Sequence, residues 1–115
     1  FDLERKIRLI RAMTEWSNRC APRLWITETN WPLLNTRPYT PNSGLPRSTV
    51  DEVTQAKYLT EYYQIAYQTG CVERVYWWQL VNPGYGLADH REGKIRKMPS
   101  FHAFANLLNG VVLCE

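Results

Sequence analysis

Only two stretches of this chain read as buried strands, and a helical pattern separates them. The first, Leu24-Trp25-Ile26-Thr27-Glu28-Thr29, is a short apolar run rich in β-formers with an acid near its end, and Pro32 closes off further strand pairing. The second runs from Val72 to Val81 through Val75-Tyr76-Trp77-Trp78. Leu3, Ile7, Ile10 and Trp16, with Leu9 and Met13 beside them, predict a helix over 2–19 whose other side carries Arg5, Lys6, Arg8 and Arg11. Asn18 and Pro22 end that helix. Thr49-Val50-Asp51-Glu52 has the pattern of a capping box and opens a second helix, which continues through Val53, Ala56, Leu59, Tyr63 and Ala66 to a stop at Gly70. Pro99 suits the first turn of a third helix, with Phe101, Phe104 and Leu108 as its apolar stripe and Gly110 at its end. Val111 to Glu115 is a short tail.

The order helix, strand, helix, strand, helix predicts an α/β fold. Two strands joined by a helix form a right-handed parallel unit. Alone, such a pair is a poor domain, because parallel sheets need both faces covered and leave unpaired edges. The 115 residues therefore read as one segment of a larger α/β structure, or as a protein that closes its sheet by self-association. The abrupt opening at Phe1-Asp2-Leu3-Glu4, without an initiator Met or a signal peptide, suits a processed or cut product.

Charge and composition narrow the partners. The net charge is only +3, Lys and Arg are scattered, and the densest basic stretch, Arg91 to Lys97, is interrupted by Glu92. A dedicated nucleic-acid binder would show a basic face, so none is expected. No run is long and apolar enough to span a bilayer. Cys20, Cys71 and Cys114 form no Cys-x-x-Cys pair and are odd in number, so buried or half-buried free thiols are the default. His90 and His102 have no second His at ligand spacing, and no metal or cofactor is assigned.

Between the first strand and the second helix, Asn30 to Arg47 holds four of the seven prolines and the run Asn42-Ser43-Gly44. That composition excludes a helix or a central strand and predicts a long loop. Trp31 and Tyr39 argue that it is ordered. An acid at the carboxyl end of a buried strand, followed by a long loop, is where α/β folds place their chemistry. The same position also suits a solvated strand-end carboxylate, and spacing alone leaves both readings of Glu28 open.

Trp25-Ile26-Thr27-Glu28-Thr29-Asn30-Trp31-Pro32 resembles the seventh strand of the clan A glycoside hydrolases, retaining glycosidases built on a (β/α)8 barrel. Glu-Thr-Asn-Trp-Pro is similar to the Glu-Thr-Gly-Trp-Pro of β-1,3-glucanases in that clan, with Asn30 in place of the Gly. Trp78-Gln79-Leu80-Val81-Asn82 is similar to the Trp-Ser-Leu-x-Asp at the clan's eighth strand, and Tyr85-Gly86-Leu87-Ala88-Asp89 to the loop that follows. Lys97-Met98-Pro99-Ser100-Phe101-His102-Ala103-Phe104 resembles the start of the last barrel helix. The resemblance covers essentially the whole chain, as sixth helix to eighth helix, the last quarter of a TIM barrel whose usual length is about 250 residues.

That resemblance implies a carbohydrate substrate and a retaining mechanism, in which two carboxyl groups about 5 Å apart flank the glycosidic bond. One attacks the anomeric carbon; the other protonates the leaving oxygen and then activates water. Glu28 takes the first role by resemblance. The clan's acid/base Glu follows an Asn on the fourth strand, and the chain holds no such pair; Asp89 and Glu92 are the acids nearest in kind and read as surface carboxylates. Trp78 becomes the wall against a pyranose ring, whose C–H face a flat indole matches. Alternation along the strand turns Trp77 to the opposite face, under the helices. Trp31, Tyr39 and Tyr85 are loop aromatics for outer subsites, and Asn30, Gln79 and Asn82 are hydrogen-bonding candidates. All three cysteines fall at the opposite, amino-end face. Without the acid/base and most of the cleft, the 115 residues alone are expected to be inactive, with the rest of a barrel or a second copy covering the strand edges.

Overall fold

The computed structural model describes residues 2–34 and 49–111, the side chain of Val111 excepted. Its elements are α1 (Leu3–Asn18), β1 (Leu24–Thr29), α2 (Glu52–Gln68), β2 (Val72–Trp77), β3 (Ala88–Asp89), β4 (Arg96–Lys97) and α3 (Pro99–Val111). The fold is mixed α/β, with three helices and four short strands among the described residues. Tyr39, three of the loop prolines (Pro38, Pro41, Pro46), Asn42-Ser43-Gly44 and Cys114 lie outside those residues. The chain divides into two units, one made of Phe1–Thr29 with Glu61–Trp77, the other of Asn30–Thr60 with Trp78–Glu115.

The first unit is built on a parallel pair. β1 runs beside β2 with Leu24 opposite Val72, Trp25 opposite Arg74, Ile26 opposite Val75 and Thr29 opposite Trp77. The register shifts twice along the way. Among the described residues each strand has this one neighbour, so both outer edges are open. Period-two alternation sends Leu24 and Ile26 toward the helices, where they pack with Leu3, Val72 and Val75 against buried Ile7, Ala66 and Cys71. The opposite face carries Trp25, whose indole N–H donates to the Glu73 carboxylate at 2.8 Å while the Arg74 guanidinium lies 4.8 Å from the ring centre.

Helix α1 contributes less to this core than its apolar stripe predicts. Ile7 is its one buried residue; Leu9, Ile10 and Met13 are exposed, and Trp16 is 88% exposed. The periodicity marks an apolar face correctly, but only its first two turns meet the sheet. The helix ends at Arg19, whose left-handed backbone (φ 56°) brings its N–H to Glu15 O at 2.8 Å. Helix α2 ends at Gly70 in the same conformation, φ +62°, where glycine carries no steric cost.

In the second unit, the cap of α2 sits two residues later than the capping-box pattern suggests. Asp51 Oδ1 accepts the Thr54 backbone N–H at 2.6 Å, and that bond holds the Asp51 carboxyl below its ordinary value. Val53 is exposed, whereas Leu59, Met98 and the polar Gln55 are fully buried. Leu33, Leu87 and Ala88 are buried in the same unit.

The second strand also ends earlier than its apolar run predicts, at Trp77 instead of Val81. Beyond it the backbone is satisfied by the following loop. Leu87 N–H donates to Gln79 O at 3.1 Å, Ala88 N–H to Leu80 O at 2.9 Å, and Asn82 N–H to Ala88 O at 3.0 Å. The chain thus turns back on itself and leads into a hairpin absent from the sequence-based expectation: β3 pairs antiparallel with β4, Ala88 opposite Lys97 and Asp89 opposite Arg96. Arg96 grips Glu52 at the start of α2 through two bonds of 2.8 and 2.6 Å.

Candidate functional site

Glu28 lies one residue before the carboxyl end of β1, in the first unit, and is exposed. No hydrogen bond or ion pair from another described residue reaches its carboxylate. Its neighbour Thr29 is buried and pairs with Trp77.

The candidate substrate-binding residues Asn30, Trp31, Trp78, Gln79, Asn82 and Tyr85 belong to the second unit. Trp78 is 47% exposed, directly after β2, and its peptide bond to Gln79 is cis. Trp77, the last residue of β2, is half-buried. Gln79 is half-buried and its backbone carbonyl holds Leu87. The Asn82 side chain is spent on its own turn: Oδ1 accepts the Gly84 N–H at 2.8 Å, while its backbone carbonyl accepts Gly86 N–H at 2.7 Å. Gly86 has to be glycine, because a Cβ there would stand 2.6 Å from both Ala88 O and Asn82 O.

Asn30, Trp31 and Tyr85 are brought together, by a route that spacing alone does not reveal. Asn30 Nδ2 donates to Tyr85 O at 2.5 Å, and its Oδ1 accepts the Trp31 N–H at 2.6 Å. The same Oδ1 accepts Gln55 Nε2 at 3.2 Å, and Gln55 Nε2 also donates to Trp31 O at 2.9 Å. Leu33 N–H adds a bond to Gly84 O at 3.0 Å. The Trp31 ring meets Tyr58 with centroids 5.4 Å apart and planes tilted by 58°. The loop after β1, the loop after β2 and α2 are therefore cross-braced around one half-buried indole. The Asn30 amide is consumed in that brace. Gln55 is the residue that sequence reasoning misses, since a polar side chain in a helix reads as solvent-facing until its burial is known.

A second polar group lies at the hairpin. Arg91 binds Asp89 through Nε and Nη2, at 2.9 and 2.6 Å to Oδ2, and the backbone N–H of Arg91 adds a bond of 3.0 Å to Oδ1. These bonds hold the nearly buried Asp89 carboxyl below its ordinary value. With its oxygens turned to Arg91, Asp89 is a structural anion. Glu92 is exposed on the loop between β3 and β4.

Among the described residues no group of three or more His, Cys, Asp or Glu side chains is arranged to hold a metal ion, and no helix is long and apolar enough to cross a membrane. Cys20 is exposed and Cys71 is buried, both as free thiols. No protein-family model, curated protein or solved structure matches the chain.

Proposed function

We propose that these residues form the C-terminal part of a retaining glycoside hydrolase acting on a β-linked polysaccharide or oligosaccharide, with Glu28 as the nucleophile. The observation that carries the reading is the exposed Glu28 carboxylate near the carboxyl end of a parallel strand, without a partner among the described residues. A structural carboxylate in this chain looks different: Asp89 and Glu52 are both engaged by arginines. The outer edges of β1 and β2, open among the described residues, support a larger sheet, of which a (β/α)8 barrel is the closed form. The exposed Trp78 and the braced Trp31 are the flat apolar surfaces that a pyranose ring stacks on.

In the reaction, Glu28 attacks the anomeric carbon as the glycosidic bond breaks, and a covalent glycosyl-enzyme forms. A second carboxyl group protonates the departing oxygen and then takes a proton from the water that releases the sugar. The resemblance puts that second carboxyl after an Asn on a fourth strand, a pair absent from this sequence, so the role falls to a carboxyl from the rest of the barrel.

Glu28→Gln in the full-length protein tests the assignment. Hydrolysis of a β-linked aryl glucoside should fall at least about a thousandfold with sugar binding retained. A 2-deoxy-2-fluoroglucoside should add one glycosyl mass to a peptide containing Glu28 in the parent protein and none in the variant. Labelling of a different acid, or undiminished turnover, would remove Glu28 from the nucleophile's role.

A further inference from the structure

We infer that Gln55 is a positioning residue for a sugar-stacking platform at Trp31, an assignment that rests on the glycosidase reading for the identity of the ligand. Gln55 is fully buried, and its Nε2 donates to both Asn30 Oδ1 and Trp31 O. The amide has one workable orientation, because reversing it would point Oε1 at two oxygen acceptors. That orientation leaves Oε1 buried without a partner among the described residues. An unsatisfied buried acceptor is destabilising, so the two bonds donated add little net stability. A residue placed for stability alone would be Leu or Met. What the amide does provide is direction, since it fixes a carbonyl and a side chain on adjacent residues of the loop.

Tyr58 completes the device. It stands three residues after Gln55, one turn along α2, and meets the Trp31 ring. One helical face therefore holds the backbone of Trp31 with an amide and its indole with a second ring. Asn30 carries the constraint onward to Tyr85 O, so that two aromatic-bearing loops keep one register. A platform fixed before the sugar arrives spares the ordering cost at binding. The ligand class that fits is a neutral pyranose chain, recognised by ring stacking.

Gln55→Glu separates direction from packing, because it preserves shape and has no donor once ionised; burial and two facing oxygens raise the carboxyl pKa, so the donors are lost at alkaline pH. A protonated carboxyl regains one donor, so the defect must be rescued as pH is lowered. In the full-length protein, hydrogen-exchange protection of the Trp31 amide should fall about tenfold at alkaline pH and recover as pH is lowered. Protection of strand amides such as Val75 should hold throughout. KM for a β-1,3-linked glucose hexasaccharide should rise about five- to tenfold, with kcat within about twofold. Unchanged protection at Trp31, or a loss with no pH dependence, would overturn the positioning role. So would lost protection with an unaltered KM, which would make Gln55 a brace with no bearing on sugar. Were the parent protein to cleave no glucan at all, the glycosidase reading would fall with the platform's sugar assignment. The exchange data would still decide whether Gln55 directs Trp31.

Discussion

Arg91 closes on Asp89 with two guanidinium nitrogens, Nε at 2.9 Å and Nη2 at 2.6 Å from the same carboxylate oxygen. The bond partners favour the ionised carboxylate, so Asp89 titrates below its unfolded value. A depressed folded pKa contributes stability that is complete above the unfolded value of about 3.9 and lost as pH falls through the folded one. Asp89→Asn should therefore unfold at lower urea than the parent at pH 7, by about 1 kcal/mol after allowance for the partly exposed arginine. The difference should shrink steadily below pH 4. A gap that stays constant down to pH 2 would show that charge plays no part.

Gly86 lies where the loop after β2 doubles back. Gly86→Ala puts a methyl group against the backbone of Asn82 and Ala88, neither of which can yield as a side-chain tip would. The expected cost is about 3 kcal/mol in chemical denaturation. Gly110, with nothing within 4 Å of an added Cβ and a place in α3, should gain about 0.5 kcal/mol from the same change. Equal effects at the two sites would contradict the geometry.

Leu59 and Val53 both lie on α2 and are opposite in burial, 0% against 73% exposed. Leu59→Ala should cost about 2–5 kcal/mol. Val53→Ala should fall within about 0.5 kcal/mol, by the same urea titration. A large loss at Val53 would point to a partner covering that side of α2.

Leu9, Met13 and Trp16 leave an apolar strip on α1, and the sheet it packs on has two open edges among the described residues. The 115 residues on their own should sediment as oligomers at micromolar concentration. Replacing Met13 and Trp16 by Glu should shift the distribution toward monomer. A clean monomer in the parent would mean that these surfaces tolerate water as they stand.

How far the sequence discloses this fold depends on the length of each feature. The three helices and β1 are legible, because periodicity runs over several turns or is cut off by Gly70, Pro32 and Pro99. β3 and β4 are not, since strands of two residues are too short to show a period. The early end of β2 is invisible for a related reason: Leu80 and Val81 are β-formers, and only the competing bonds to Leu87 and Ala88 take them out of the ladder. Glu28, Trp31 and Trp78 stand out by residue type. Gln55 does not, because its importance lies wholly in what surrounds it.

Pro32, Leu34 and Val50 carry one more consequence. Val50 N–H donates to Pro32 O and Leu34 N–H to Val50 O, each at 2.9 Å, and Leu33 bridges to Val50. The two ends of the intervening segment are thus clasped by its own flanks. The loop that carries Trp31 is therefore tied to the approach of α2 by main-chain bonds, a link that side-chain substitution at Leu33, Leu34 or Val50 leaves standing.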